Sequence, residues 1–300
     1  MHLSKHKTQP NAATIPFRSY FYAAVTVVMW ASAFPGIRAA LDGYSPYSIA
    51  LLRYLVASAV MIAYAVVMRI PPPRPHHWPG VALMGFLGFA LYNIVLNAGQ
   101  QGVSAGVASF IVASAPIYMV LIGTLRYRER LRGLGWLGVF VSFSGVALIS
   151  LTSGDGFQVN GWALLVLVAA LAQASYHALQ KPLLKHYTPV QFVTYAILSG
   201  TVMLLIFTPG LLAEIRTAPA AATWAVVYMG LFPGAIGYVS WSVVMRDLPA
   251  SVAGSFLYLV PFVAVLIAWL WLGEVPGTWA FVGGAFIIVG VVTVSRWGRA

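Results

Sequence analysis

Ten apolar runs, each about twenty residues long and separated by short polar connections, constrain this chain more than any other feature. A helix needs about 20 mostly apolar residues to cross the hydrocarbon layer of a bilayer. The runs span residues 20–41, 46–69, 78–99, 105–125, 133–151, 160–184, 190–209, 223–245, 251–272 and 278–297. They are too long and too uniformly apolar for the alternating, roughly ten-residue strands of a membrane barrel. Hydrophobic residues make up 60% of the chain and charged ones 8%, and a soluble fold has too little interior to hide so much apolar surface. The predicted class is an all-α membrane protein of ten transmembrane helices.

Orientation follows from charge. The net charge is +11, and the basic residues stand in short groups between the runs. With the N-terminus in the cytoplasm, Lys5, Lys7, Arg18, Arg69, Arg74, the cluster Arg126, Arg128, Arg130 and Arg132, Lys181, Lys185, Arg246, Arg296 and Arg299 fall on the cytoplasmic side. Only Arg38 and Arg216 fall outside. A lysine and arginine bias of this kind sets topology, so both termini are expected to be cytoplasmic and nucleic acid is not an expected partner. Residues 1–19 lack the apolar core and cleavage site of a signal peptide and read as a cytoplasmic tail. The absence of cysteine excludes disulfides, thiolate metal sites and cysteine nucleophiles.

The chain also repeats itself. In the stretch 104–130, Ala105, Val107, Ala108, Pro116 and Glu129 fall 145 positions before Ala250, Val252, Ala253, Pro261 and Glu274. Met84-Gly85 matches Met229-Gly230, and Gly138 and Gly145 match Gly283 and Gly290, at the same offset. Ala31-Ser32 echoes Ala174-Ser175 at an offset of 143. Each unit, 20–151 and 160–297, holds five runs. Five is odd, so the second unit enters the membrane with opposite polarity. That is an inverted repeat, an architecture secondary transporters use for alternating access.

The segments MWASAFPGIRAAL, ALLRYLVASAVM, GFALYNIVLNAGQQGVSAGVASFIVASAPIYMVLIG and RERLRGLGWLGVFVSFSGVALIS resemble the EamA-type members of the drug/metabolite transporter superfamily, over residues 20–295 and in both halves. The resemblance implies ten helices, cytoplasmic termini, no ATPase domain, and export of amino acids, metabolites or toxic compounds. The nearest likeness is to bacterial exporters of aromatic amino acids, which places the chain in a bacterial inner membrane. One departure concerns Glu129. The family's apolar LLLGE is TLRYRE in the first copy, whereas the second keeps WLGE, so no specific role attaches to Glu129.

Enzyme chemistry finds little to work with. The six acids, Asp42, Glu129, Asp155, Glu214, Asp247 and Glu274, lie at run ends or in connections, away from the paired geometry of hydrolytic or two-metal sites. No GxxxxGK[ST] loop is present, and no metal or cofactor is expected. Ionisable groups within the runs are costly and by default functional. Two stand out: Arg53, about 10 Å into the second run at 1.5 Å per residue, and His177. Arg53 reads as a snorkelling or carbonyl-capping residue. His177 reads equally as a proton shuttle or a structural histidine. Without a buried carboxylate, transport driven by the substrate gradient is favoured over tight ion coupling.

A substrate cavity is expected at mid-membrane, with a few polar groups in apolar walls. The residues at that depth are Trp30, Ser32, Phe34, Tyr92, Asn93, Asn97, Ser109, Ser114, Tyr118, Gln173, Tyr176, His177, Gln180, Tyr238, Trp241, Ser242, Ser255 and Tyr258. Singly, each is as well explained by helix packing or interface anchoring. Pro35, Pro116, Pro233 and Pro261 interrupt the same helices and are candidate kinks or gates. The fifth and tenth runs offer glycines seven apart, a smooth face for close helix contact, within one chain or across a homodimer, with a monomer equally consistent. A wall of aromatic, amide and hydroxyl groups without strong charge suits zwitterionic or weakly cationic solutes such as apolar amino acids or lipophilic amines. The competing readings are a nucleotide-sugar carrier, which wants basic groups for phosphates, and a non-transporting membrane enzyme or scaffold.

Overall fold

A computed structural model describes residues 17–118, 121–122, 132–152, 160–247 and 256–297. Among these, every regular element is helical. In chain order they are α1 (Phe17–Ala40), α2 (Pro46–Val67), α3 (Pro75–Gly99), α4 (Ala105–Tyr118), α5 (Gly133–Ile149), α6 (Gly161–Leu184), α7 (Pro189–Glu214), α8 (Ala220–Asp247), α9 (Leu257–Leu272) and α10 (Thr278–Val294). Six of them, α1 to α3 and α6 to α8, are long and apolar enough to cross a membrane; the other four are shorter apolar helices.

The helix starts follow from local chemistry. Ser45 accepts a hydrogen bond from the Ser48 N–H and precedes Pro46 at the head of α2. Thr188 accepts from the Gln191 N–H and precedes Pro189 at the head of α7. A hydroxyl at the cap satisfies a free N–H, and proline at the first helical position gives up a donor that had no partner. The Ser104 hydroxyl caps α4, and the Asn160 amide oxygen caps α6, neither with a following proline. At the other end of α9, Gly273 turns the chain in the left-handed region at φ 68°, where a side chain would strain.

Two helices are distorted at corresponding places. α3 loosens into a π-helical segment over Phe86–Leu91, and α8 does so over Gly230–Gly237, which contains Pro233. The first begins directly after Met84-Gly85 and the second begins at the glycine of Met229-Gly230, and π segments often sit at functional sites. The glycine allows close approach. A Cβ on Gly85 would lie 2.8 Å from the Ala196 carbonyl oxygen of α7, and one on Gly230 would lie 2.6 Å from the Arg53 carbonyl oxygen of α2. α4 and α9 are also broken alike. α4 turns at Ala113–Ser114 before Pro116, and α9 has a 3₁₀ turn over Leu257–Leu259 before Pro261. Pro35 differs: it lies inside α1, whose helical path is uninterrupted.

Packing pairs helices from the two halves. α1 contacts α8 and α9, while α6 contacts α3 and α4; α2 meets α7, and α5 meets α10. The Ser58 and Thr201 hydroxyls, 143 positions apart, lie 2.8 Å from each other between α2 and α7. The Ser142 hydroxyl donates to the Ile287 carbonyl, 145 positions on, at 3.2 Å between α5 and α10. The glycine faces of those two helices are closed on each other within the chain. A Cβ on Gly145 would fall 2.4 Å from the Gly283 carbonyl oxygen, and one on Gly290 would fall 2.4 Å from that of Gly138. The feature that suggested a homodimer is therefore occupied inside one protomer, since backbones this close leave no room for a second chain.

The outside of the bundle is oily. Phe140, Trp224 and Leu270 are each at least 70% exposed, and they belong to a large set of exposed apolar side chains. Patches of that extent mark a membrane-facing surface. The chain is a membrane protein.

Candidate functional site

Mid-bundle, α1, α2, α3, α4, α6, α8 and α9 line a cavity of about 70 Å³. That is well below the roughly 300–1,000 Å³ of a site holding a drug-sized ligand, so the walls stand close together. Its lining combines Trp30, Phe34, Tyr92, Tyr238 and Tyr258 with Ser109, Gln173, His177 and Arg53, plus aliphatic residues of α3, α4 and α9. Pro116 and Pro261, which follow the helix breaks in α4 and α9, line it as well.

The aromatic wall is a contiguous cluster. The Trp30 ring lies 5.1 Å from Tyr238, 5.4 Å from Trp241 and 6.1 Å from His177, centroid to centroid. His177 is 5.9 Å from Trp241 and is tied to Gln180, whose Nε2 lies 3.2 Å from His177 Nδ1. Glycine makes room here too. Gly237 of the α8 π segment sits under Trp30, where a Cβ would come within 2.9 Å of the indole Nε1.

The other residues expected at the cavity are near it but face elsewhere. Ser32 is held by Tyr228 and by the Met29 carbonyl. Ser114 donates to the Ile111 carbonyl and Ser242 to the Tyr238 carbonyl. A helical hydroxyl readily turns back onto the preceding turn, which removes it from the wall. Asn97 donates to the Pro46 carbonyl, anchoring α3 to the head of α2. Tyr118 packs against Phe143, and Tyr176 stacks on Phe192 and meets Phe89 edge-on. Trp241 and Gln180 back the wall from behind Trp30 and His177. Pro233 lies in the π segment of α8, off the lining. Ser255 and Glu129 lie outside the described residues.

Arg53 is the main correction. It does not snorkel to the end of α2: it is 3% exposed, and its Nη1 donates to Asn93 Oδ1 at 3.0 Å. Asn93 in turn donates to the Tyr54 hydroxyl and the Phe89 carbonyl, so α3 holds the guanidinium inward. Its Cζ lies 5.5 Å from the centre of the Tyr54 ring, within cation–π range. The expectation of a wall without strong charge fails for the same reason, because Asn93 offers an acceptor at that depth.

Each end of α1 carries an ion pair. Arg38 Nε meets Glu274 Oε1 at 2.9 Å, its Nη1 donates to the Gln100 carbonyl, and Glu274 Oε2 accepts the Ala105 N–H at 3.0 Å. One carboxylate thus joins the ends of α1 and α9 to the head of α4. At the opposite end, Arg18 and Arg246 both pair with Asp247, each at 3.1 Å.

Comparison with known proteins bears on this architecture. The sequence profile of the EamA-like transporter family matches residues 17–151 and again 160–296. The chain is 42% identical over 273 residues to a probable terminal-alkyne amino-acid exporter of Streptantibioticus cattleyicolor, covering 91% of each. It is 40% identical to an uncharacterised transporter, YdfC, of Bacillus subtilis, covering 89% of this chain and 88% of the relative. It is 28% identical to the uncharacterised inner membrane transporter YedA of Escherichia coli, covering 90% and 89%. A solved crystal structure overlays with a TM-score of 0.63 at 19% identity, covering 92% of this chain and 95% of that one, and shows a shared fold. Matched twice by the family profile and along nearly its whole length by its relatives, the chain belongs to the EamA-like transporter family of the drug/metabolite transporter superfamily and is a transporter.

Proposed function

We propose that this protein exports apolar or aromatic amino acids and related metabolites across a bacterial inner membrane by alternating access. The observation that carries the reading is the central cavity, where an aromatic wall of Trp30, Tyr92, Tyr238 and Tyr258 faces a few polar side chains. That combination suits a solute with a flat or apolar body and a polar head. The relative named as a probable amino-acid exporter supports the substrate class, and the inner membrane relative supports the location.

The mechanism we infer is built on two inverted five-helix units, 20–151 and 160–297, with both termini cytoplasmic. Support comes from the family's double match, the α2–α7 and α5–α10 contacts between residues 143 and 145 positions apart, and the matched distortions of α3 and α8. In this reading the contracted cavity, with ion pairs at both ends of α1, is a closed intermediate. The Arg38–Glu274 end is the outer gate, and the breaks before Pro116 and Pro261 are the hinges.

Proteoliposomes preloaded with radiolabelled phenylalanine, tryptophan, leucine and lysine test this. Protein-dependent efflux of at least one apolar or aromatic amino acid, in vesicles without an ion gradient, is the expected result. Flux of none of them would sink the substrate class, and flux that requires an imposed proton or sodium gradient would sink transport driven by the substrate gradient.

A further inference from the structure

The buried side-chain atoms left without a partner on residues of the cavity wall are all nitrogens. Three of its residues have a buried side-chain atom with no hydrogen-bond partner: Trp30 Nε1, Arg53 Nε and His177 Nε2. A fourth such atom, Trp241 Nε1, belongs to the ring packed behind Trp30 and His177. With the Gln180 amide donating to His177 Nδ1, the neutral imidazole carries its proton on Nε2. All four atoms are therefore N–H donors. The unpartnered acceptors, Asn97 Oδ1 and Gln100 Oε1, belong to residues off the wall. Two of the donors lie along the π segment of α8: a Cβ on Gly234 would stand 3.9 Å from Arg53 Nε, and one on Gly237 would stand 2.9 Å from Trp30 Nε1.

Arg53 adds a charge to this donor set. A guanidinium stays protonated, and among the described residues no carboxylate pairs with it. Asn93 gives it one neutral acceptor. Burying an uncompensated charge and leaving donors empty are both costly, and the cost falls when an anion with several lone pairs arrives. A planar carboxylate matches the guanidinium fork.

We propose that this wall is a carboxylate subsite: the transported solute docks its carboxylate on Arg53, with the Trp30 and His177 N–H groups beside it. The substrate class is then apolar or aromatic organic acids, amino acids among them, and simple amines are rejected. The inference rests on the central cavity being the substrate site, as in the proposed function.

The test is equilibrium binding to purified protein in detergent, read by thermal stabilisation and tryptophan fluorescence. The probes are phenylalanine, 3-phenylpropionate, phenylalaninamide and phenethylamine. The two acids are expected to bind at least about tenfold more tightly than the amide and the amine. Asn93→Asp, nearly isosteric, places an internal carboxylate against the guanidinium at the loss of the donation to the Phe89 carbonyl, and its folded fraction is expected to bind the acids about tenfold or more weakly. Arg53→Lys, which keeps charge and loses the fork, is expected to fall between. Binding of the amine or amide equal to the acids, acid affinity unchanged in Asn93→Asp, or no binding of either acid overturns the subsite. Phenylalanine efflux without preference for the acids would leave the export reading intact. Acid binding that follows Arg53 and Asn93, with no amino-acid flux, would support the subsite and remove amino-acid export.

Discussion

Arg38 and Glu274, 236 positions apart, meet at 2.9 Å where α1 and α9 end. The second oxygen of that carboxylate takes the backbone N–H of Ala105, so one side chain fastens three helices. Both members are partly exposed, and such a pair stabilises by about 1 kcal/mol at most. Under the proposed alternating access, its larger effect is on which end of the bundle is shut, since a conformational equilibrium needs little energy to shift.

Glu274→Gln removes the charge and keeps the shape. The chain has no cysteine, so a Val107→Cys variant carries a single thiol, at a residue lining a shallow vestibule beside Arg38 and Glu274. We expect its labelling by a membrane-impermeant maleimide to speed up several-fold in the Glu274→Gln background. An unchanged rate would show that the pair does not hold this end closed.

The α5–α10 contact predicts steric failure. Gly145→Val puts a branched side chain where even a Cβ would sit 2.4 Å from the Gly283 carbonyl oxygen. Overpacking costs roughly 1–3 kcal/mol, so the melting temperature in detergent should fall by several degrees. Gly161→Ala meets nothing within 4 Å and should be neutral. Equal melting of the two variants would contradict the packing.

Ser58 and Thr201 offer a cleaner measurement. Their hydroxyls share a hydrogen bond at 2.8 Å, and Thr201 also reaches the Tyr54 carbonyl. A double-mutant cycle with Ser58→Ala and Thr201→Val should give a coupling of about 0.6 kcal/mol, typical of hydroxyl pairs between membrane helices. Additive effects would place the two groups apart in the native protein.

Trp30 tests the aromatic wall. Trp30→Ala removes the ring packed among Tyr238, Trp241 and His177, and efflux should drop by about tenfold or more. Trp30→Phe keeps an aromatic face and loses the N–H, so aromatic stacking alone would leave it near wild type. Transport unaffected by Trp30→Ala would take the cavity out of the solute's path.

Some of the site was legible in the residue order. Trp30, Phe34, Tyr92, Ser109, Gln173, His177, Tyr238 and Tyr258 all line the cavity, because depth along an apolar helix can be counted. Which way each one faces could not be. Ser114 and Ser242 sit at the right depth and turn back to their own helix, and Tyr118 turns to Phe143. A further signal went unread: Ser45-Pro46 and Thr188-Pro189 lie 143 positions apart and cap α2 and α7 alike.

Length and apolarity by themselves determined that this chain is a helical membrane protein, because a bilayer demands long runs whose backbone groups bond internally. The glycine spacing marked where α5 and α10 touch, and Pro116, Pro233 and Pro261, though not Pro35, marked helices that are distorted. Only the tertiary structure decided the fate of Arg53. From sequence it was a cation that could snorkel to the membrane surface or cap carbonyls between helices; in the fold, Asn93 of another helix holds it beside the cavity at 3.0 Å. Burial and partner choice depend on what a neighbouring helix presents, and no spacing along one chain segment encodes that.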